Sequence, residues 1–335
     1  MDVAVDLGTA NVLVYVKGRG IVLREPSVVA QDRDSGRVVA VGAEARRMLG
    51  RTPGHIVAVR PLREGVIADF DLTQVMLRHF LGRVTLRRAL FRPRVMVCVP
   101  TGITDVERRA VVEAASQSGA GQTYLVEEPW AAALGASLDI SEPAGQMVVD
   151  IGGGTTDIAV LSLGGIVLGT SVRVAGDKFD DAIVKYVRRR YNLLIGERTA
   201  EDLKVNVAAV LPEVRDVTAD VRGRDLVTGL PATVQVTTAE LAEGLRETTG
   251  EVVAAIRGVL ERTPPELAAD IVDRGLVMTG GGSLLAGLDQ LVARETCVPV
   301  HVADDPLSCV VIGAGKALEA GRFGERMRGR VARGF

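Results

Sequence analysis

The chain has 335 residues, with 40 Lys and Arg set against 42 Asp and Glu for a formal net charge of -2, a balance that leaves no footprint for a general nucleic-acid binder. Apolar residues make up 47% and charged residues 24%, which excludes a disordered chain, and the length fits two domains better than one core. No stretch has the apolar length of a membrane span, no signal peptide precedes Asp2, and 3% aromatic residues leave no visible stacking platform for bases.

In chain order, the apolar run Val3–Val5 predicts a buried strand that delivers Asp6 to a turn, Gly8-Thr9-Ala10-Asn11, from which a second strand returns over Val12–Val16. Short strands follow at Ile21–Leu23, Ser27–Ala30 and Val38–Val41, with a short helix over Ala43–Leu49; residues 32–62 read as a small inserted subdomain. Asp71 is the expected N-cap of a helix running to about Val84. The next turn holds an apolar pair, Leu90-Phe91, among four arginines. Two readings stand there: the pair tucks back onto the helix, or it enters the acyl boundary of an anionic membrane. Val95–Val99 is a buried strand, Thr104 and Glu107 form a capping box, and a helix runs to about Ser118. Glu127 and Glu128 then precede Pro129, a residue suited to a first helical turn.

A polar break, Ser141–Gly145, predicts the crossing into a second domain. There the hairpin recurs in stronger form: strand Gln146–Val149, Asp150, the turn Gly152-Gly153-Gly154-Thr155-Thr156, and a return strand over Ile158–Leu163. A strand over Gly169–Val174, a helix from near Asp177, another from Thr199, strands at Val214–Val221 and Thr233–Thr237, and a second insert over 181–231 complete this region. A long helical pattern from Thr237 to about Arg262 contains Gly250 and Gly258, which argue against a single unbroken helix. Asp270 is expected to begin a short turn; a strand at Gly275–Met278 leads through Thr279-Gly280-Gly281-Gly282-Ser283 into a helix over Leu284–Glu295, and a last helix spans Ser308–Glu319. The arginine-rich tail, Arg322–Phe335, reads either as a frayed end or as a contact for anionic lipid. Cys98, Cys297 and Cys309 lack paired spacing, so buried free thiols in a reducing environment are expected, not a disulfide framework or a zinc site.

Adjacent N–H groups in glycine-rich turns form nests for phosphate oxygens. A carboxylate at the strand end makes sense beside phosphate if a hard cation lies between them. The expected cofactors are therefore ATP or ADP with Mg²⁺: Asp6 and Asp150 on the metal side, mostly through waters, Gly8–Asn11 cradling one side of the phosphates, and Gly152–Thr156 the other. Gly280–Ser283 offers close backbone approach to base, ribose or phosphate. It is neither a Walker A loop nor a dinucleotide fingerprint. Hydrolysis requires a water in line with the γ-phosphate. Glu128 is the candidate to orient it, with Glu127 as its neighbouring alternative; Thr155 donates either to the phosphate or to the water. Asp177, after Gly176, either touches ribose or the metal shell or caps its own helix.

These hairpins and the Thr279–Ser283 run resemble the nucleotide motifs of the superfamily of actin, heat-shock chaperone ATPases and sugar kinases, and more closely the bacterial MreB/Mbl actin homologues. Residues 6–30, 60–70, 126–136, 148–157, 191–204, 263–271 and 279–289 carry that likeness across almost the whole chain. The resemblance implies an α/β, actin-like ATPase fold with two RNase H-like domains around a nucleotide cleft, each with an inserted subdomain. Domain I would comprise 1–31, 63–143 and 308–335 with its insert 32–62, and domain II 144–180 and 232–307 with its insert 181–231. It further implies that Asp6 and Asp150 are the metal-side aspartates, Glu128 the water-orienting glutamate, Thr155 the threonine linked to hydrolysis, Glu201 and Lys204 the helix that meets the nucleoside, and Leu90 and Phe91 a membrane-inserting loop. The implied biology is double antiparallel protofilaments in the cytoplasm, on the inner face of an anionic membrane, working with the cell-wall elongation machinery on rod shape. Departures from the family pattern are Ala175 for a usual Gly, Asp157 for a common Glu, Trp130 for a common Met, and the stretch Val205–Leu211. They bear on nucleotide affinity and turnover more than on fold. The alternatives are a filament scaffold with little or no turnover, a small-molecule kinase, for which no acceptor motif is visible, and a chaperone motor, which needs a peptide-binding domain.

Overall fold

Two five-stranded sheets with the same internal plan carry the chain. The computed structural model describes residues 1–84 and 92–321. The first sheet begins as an antiparallel meander, β1 (Asp2–Leu7), β2 (Asn11–Val16) and β3 (Gly20–Pro26). A small unit follows: β4 (Val29–Asp32), β5 (Val38–Val41), α1 (Ala43–Met48) and β6 (Ile56–Val59), closed over Val28, Ala30, Ala40 and Ala45. The short hairpin of β7 (Leu62–Arg63) and β8 (Val66–Ile67) leads into α2 (Phe70–Val84). Then come β9 (Arg94–Val99), α3 (Asp105–Gln117), β10 (Gln122–Glu127) and α4 (Glu128–Gly135). Strand β9 lies parallel between β1 and β10, so the sheet order is β10-β9-β1-β2-β3.

The second half repeats this. β11 (Gln146–Ile151), β12 (Thr156–Ser162) and β13 (Gly165–Val172) form the meander. Next are α5 (Gly176–Tyr191), β14 (Leu193–Leu194), α6 (Glu197–Asn206), β15 (Thr218–Asp225) and β16 (Pro231–Thr237), with β14-β15-β16 forming a small second sheet. Then α7 (Thr238–Leu260), α8 (Pro265–Arg274), β17 (Leu276–Thr279), α9 (Leu288–Thr296) and β18 (Val300–Val302) complete the order β13-β12-β11-β17-β18, the last three parallel. The final helix, α10 (Cys309–Glu319), returns to pack on β1 and on α4. The central strands β1 and β11 read as near-continuous apolar runs because both of their faces are covered.

Several local expectations need correction. Asp71 does not cap α2; the side chain of Asp69 accepts from Leu72 N at 3.0 Å and does so. The helix expected at Thr199 opens two residues earlier, at Glu197, on the Gly196 N-cap. Asp270 lies inside α8 and begins no turn. Gly250 and Gly258 do not interrupt α7, which runs unbroken for 23 residues behind a Thr237–Glu240 capping box, because its apolar face is buried along its length. The helix expected from Leu284 starts only at Leu288; the third glycine run itself turns into a 3₁₀ segment, Gly281–Leu284, before α9 begins. The strand expected from Val214 starts at Thr218, after a 3₁₀ turn at Pro212–Val214.

Helices α4 and α10 meet backbone to backbone. A Cβ on Gly135 would overlap the Cys309 carbonyl, and one on Gly313 the Ala131 carbonyl. Gly313→Ala is therefore expected to destabilise the fold by at least about 2 kcal/mol, whereas Gly250→Ala, which meets open space, should stabilise it by roughly 0.5–1 kcal/mol. Urea denaturation of both variants checks the contrast, and equal midpoints would contradict this account of the helix contact.

Candidate functional site

Asp6, Asp150 and Glu128 sit at or just past the carboxyl ends of strands in the parallel parts of the two sheets, where open α/β sheets receive ligands, and Asp157 lies at the start of the antiparallel strand β12. Asp6 is the penultimate residue of β1, between Leu13 of β2 and Cys98 of β9. Asp150 holds the matching place on β11, opposite Asp157 of β12 and beside Thr279 of β17. Glu128 follows the end of β10 as the first residue of α4.

These carboxyls act on one another across one shared space, in which Asp150 and Asp157 are buried and Asp6 and Glu128 half-buried. Asp150 is 4% exposed and accepts a 2.6 Å hydrogen bond from Thr279 Oγ1. Burial, with a small opposing effect of that bond, raises its pKa to about 6. Burial and then the charge of Asp150 raise Asp6 to about 7. Glu128 is pushed well above the usual carboxylate range, first by burial and then by the charges of Asp157, Asp6 and Asp150. Asp157, 0% exposed, is raised to about 7, chiefly by burial. Its Oδ1 accepts from Thr101 N at 2.7 Å, while Oδ2 finds no hydrogen-bond partner among the described residues. Such a set is stable with its charges on only beside a cation.

The two turns face each other in contact. A Cβ on Gly153 would come within 2.8 Å of the Cβ of Ala10, and one on Gly154 would overlap Thr9 Oγ1. In the first turn, a Cβ on Gly8 would stand 2.8 Å from Asn11 O, at the start of β2. In the second, Gly152 N donates to Thr155 O at 2.9 Å, and the carbonyls of Gly152 and Gly153 accept from Gly176 N (3.1 Å) and Asp177 N (2.8 Å), so α5 begins directly on the turn. Thr156 is fully buried and spends its hydroxyl on Val174 O at 2.6 Å, which makes it a support of the turn and removes it from the cleft.

The third glycine run packs against the base of the second hairpin. Gly280, at φ 78°, lies on the Ile151 carbonyl, and Gly282 on the Ile151 side chain. Ser283 Oγ donates to Gly280 O at 2.6 Å and so closes its own loop. On α6, Lys204 Nζ reaches Asp180 Oδ2 at 2.8 Å and Gly176 O at 3.0 Å. Glu201, one of the two expected nucleoside contacts, pairs with Arg46 of α1 at 2.6 Å, and Asp177, left open between ribose, metal shell and helix cap, pairs with Arg60 at 3.3 Å. The structure thus joins the three glycine runs, Asp6, Asp150, Glu128, Thr155, Asp177, Glu201 and Lys204 in one region. Leu90 and Phe91 lie outside the described residues.

Three participants stand outside the sequence analysis: Asp180, which holds Lys204, and Glu64 and Gly65 at the β7–β8 tip; Thr279 is named there in the third glycine run, but not as the donor that holds Asp150. Gly65 N donates to Thr9 Oγ1 at 3.1 Å, and at φ +75° its missing side chain makes room for Thr155. Glu64 pairs with Lys178 at 3.0 Å. The tip therefore touches both turns at once. Gly65 between Leu62-Arg63 and Val66-Ile67 was the available signal for the turn, though not for where it points.

No group of three or more His, Cys, Asp or Glu is arranged to ligate a metal directly among the described residues. A cation that keeps most of its waters and takes further oxygens from phosphate fits this donor set, as magnesium does in nucleotide sites. Glycines that admit no Cβ, backbone N–H groups on two facing turns and a cation-demanding carboxylate set together fit a magnesium nucleotide. Asp6 and Asp150 would stand nearest the metal. Bound there, the metal would screen phosphate charge.

A family model described as MreB/Mbl protein matches residues 1–324. The cell shape-determining protein Mbl of Bacillus subtilis (strain 168) is 58% identical over 318 residues, covering 95% of this chain and 96% of that protein. The cell shape-determining protein MreB of Escherichia coli (strain K12) is 54% identical over 325 residues, covering 95% and 93%. Among solved structures, MreB5 of Spiroplasma citri bound to ADP matches with a TM-score of 0.91 at 38% identity, over 96% of this chain and 98% of that one. The same protein bound to AMPPNP gives a TM-score of 0.91. A MamK double helical filament shares the fold, with a TM-score of 0.81 at 23% identity over 95% of this chain and 99% of that one. The fold is therefore the expected actin-like one.

Raised carboxyl pKa values oppose ionisation in the folded state. Asp6, Asp150 and Asp157 stabilise the fold fully below their unfolded value of about 3.8 and lose that contribution as pH climbs through about 6 to 7. Metal- and nucleotide-free protein should thus melt at a lower temperature at pH 8 than at pH 5.5, and Mg-ATP should remove most of the difference. Thermal melts at both pH values check this; equal melting temperatures without ligand would contradict the shared-carboxylate reading.

Proposed function

From the premise that this chain belongs to the MreB/Mbl family, we propose that it is a nucleotide-dependent, filament-forming cell shape determinant. The observation that carries the proposal is the contact between Thr9-Ala10 of one half and Gly153-Gly154 of the other, with Asp6 and Asp150 behind them. A triphosphate held by both turns would draw both halves together. The nucleotide-bound MreB5 structures support ATP and ADP as ligands.

In this reading Mg²⁺ accompanies the nucleotide beside Asp6 and Asp150. Gly8, Thr9, Ala10 and Asn11 bind phosphate from one side, and Gly152–Thr155 from the other. Glu128 orients the attacking water and accepts its proton, and Thr155, braced by Gly65, donates a hydrogen bond at the γ-phosphate end. Without a cation, burial and its acidic neighbours favour the neutral form of Glu128; a cation beside Asp6 and Asp150 would offset those charges and leave the Glu128 carboxylate ionised, as a base must be. Asp177, Glu201 and Lys204 exchange their present partners for contacts with the nucleoside. Turnover is slow and coupled to assembly, so the product that matters is filament state.

The filaments proposed are double and antiparallel. They lie on the inner face of an anionic membrane through Leu90 and Phe91 and guide the lateral wall-synthesis machinery. No helix among the described residues is long and apolar enough to cross a membrane. Attachment through such a loop is weak per copy and becomes firm through the many copies of a filament.

Sedimentation tests these parts together. The chain should pellet with Mg-ATP, and more fully with anionic liposomes. Leu90→Ser with Phe91→Ser should lose most of the liposome-dependent fraction while binding nucleotide as before. A chain that stays monomeric under all assembly conditions would contradict the filament reading, and full liposome recruitment of the double variant would contradict the loop assignment.

A further inference from the structure

Beside the site, one hydrogen bond joins the two halves at a place the proposed chemistry does not use. Trp130 is the single tryptophan of the chain and stands two residues after Glu128 on α4. Its indole Nε1 donates to Gly164 O at 3.1 Å. Gly164 belongs to the turn between β12 and β13, in the second half, so this bond crosses from one sheet system to the other.

Both ends of that bond are fixed. The turn residues Leu163 and Gly164 have φ values of 51° and 73°, the left-handed pair of a tight hairpin, with leucine in a conformation it rarely adopts. Their N–H groups donate to Glu142 O at 3.0 Å and Ile140 O at 2.6 Å, in the segment that links the halves. The indole packs in the same apolar cluster as Leu134, Leu138 and Ile166. On its other side α4 is pressed against α10 at Gly135 and Gly313, with no room for a methyl group. Helix α4 is thus pinned to the first half by α10; its alanines share an apolar cluster with Val148, Ala159 and Leu161 of the second half, and Trp130 adds the directional hydrogen bond to that contact. Strand β12 runs between the two ends of this arrangement: Thr155 precedes its first residue, and the Gly164 turn follows its last.

We propose that Trp130 is a positioning residue for Glu128. Its bond to Gly164 sets the angle between α4 and β12, and so the placement of the carboxylate at the head of α4 relative to Thr155 at the head of β12. Movement of the second half on nucleotide binding is delivered to Glu128 through this tie. The proposal rests on the reading of Glu128 as the group that orients water, and it concerns this chain's own choice of tryptophan.

Phosphate release, nucleotide affinity and pelleting are measured for the unmodified chain, Glu128→Gln, Trp130→Phe and the double variant. Trp130→Phe keeps a ring and deletes the N–H. Turnover should fall about three- to tenfold, since small misplacements of a reacting group are costly in rate. Nucleotide affinity should stay within about twofold, as the phosphate turns are untouched. In the Glu128→Gln background the same change should cost nothing further, because the tie acts through the carboxylate. Unchanged turnover in Trp130→Phe while Glu128→Gln is inactive would overturn the proposal, as would a loss matched by an equal loss of nucleotide affinity. Normal turnover in Glu128→Gln would instead remove Glu128 from the chemistry, and the positioning role with it. Emission from the lone tryptophan of the unmodified chain gives an arm that needs no variant to fold: Mg-ADP and Mg-ATP should give different spectra, and identical spectra would overturn the proposed coupling.

Discussion

Four carboxyl groups in a space too dry to keep them all charged dominate this molecule. Asp6, Glu128, Asp150 and Asp157 come from different strand ends, yet each is raised by burial and three of the four by one another. No cationic side chain acts on these four groups among the described residues; neutral donors such as Thr279 and Thr101 are what the chain supplies. The compensating charge has to come from outside the chain. A site of this kind holds its two halves together well only when a cation and the anion it serves are both present, which is the physical basis for coupling nucleotide state to the relation between the halves.

The duplicated sheet plan explains how the groups meet. In each half a central strand has an antiparallel meander on one side and parallel strands on the other. The first turn of each meander and the ends of the parallel strands then point the same way. Setting the two halves against each other brings Thr9-Ala10 against Gly153-Gly154 and leaves no room for side chains between them. The β7–β8 tip, through Gly65 on Thr9 and Glu64 on Lys178, braces both turns from outside. Farther out, Arg46–Glu201 and Arg60–Asp177 span the cleft as exposed or half-buried pairs, which contribute little to stability and are easily exchanged for ligand contacts.

Much of the site was legible because its signals are local. An apolar run ending in Asp and followed by Gly and Thr needs no partner to be read, and the pairing of Asp6 with Asp150 follows from seeing that motif twice. The capping boxes at Thr104 and Thr237 are likewise written within four residues. What escaped depends on contacts far apart in sequence. Thr9 and Gly65 are separated by 56 positions, and Thr279 and Asp150 by 129. Lys204 was read as a nucleoside contact, whereas Asp180, 24 residues away, claims it in the structure described here. Asp157 was noticed only as a departure from a pattern; that it completes the acidic set follows from its register opposite Asp150, which no spacing along the chain announces. The glycines of α7 misled for the opposite reason, since tertiary burial of one face outweighs a cost of about 1 kcal/mol each.

Calorimetric binding of ATP with and without Mg²⁺, to the unmodified chain and to Asp6→Asn, Asp150→Asn and the double variant, probes the shared grip most directly. Each single variant should lose the magnesium-dependent part of the affinity, on the order of 10- to 100-fold, bind metal-free ATP no worse than before, and match the double variant. Retention of the full magnesium effect in either single variant would mean that the two halves do not hold one metal-bound nucleotide between them.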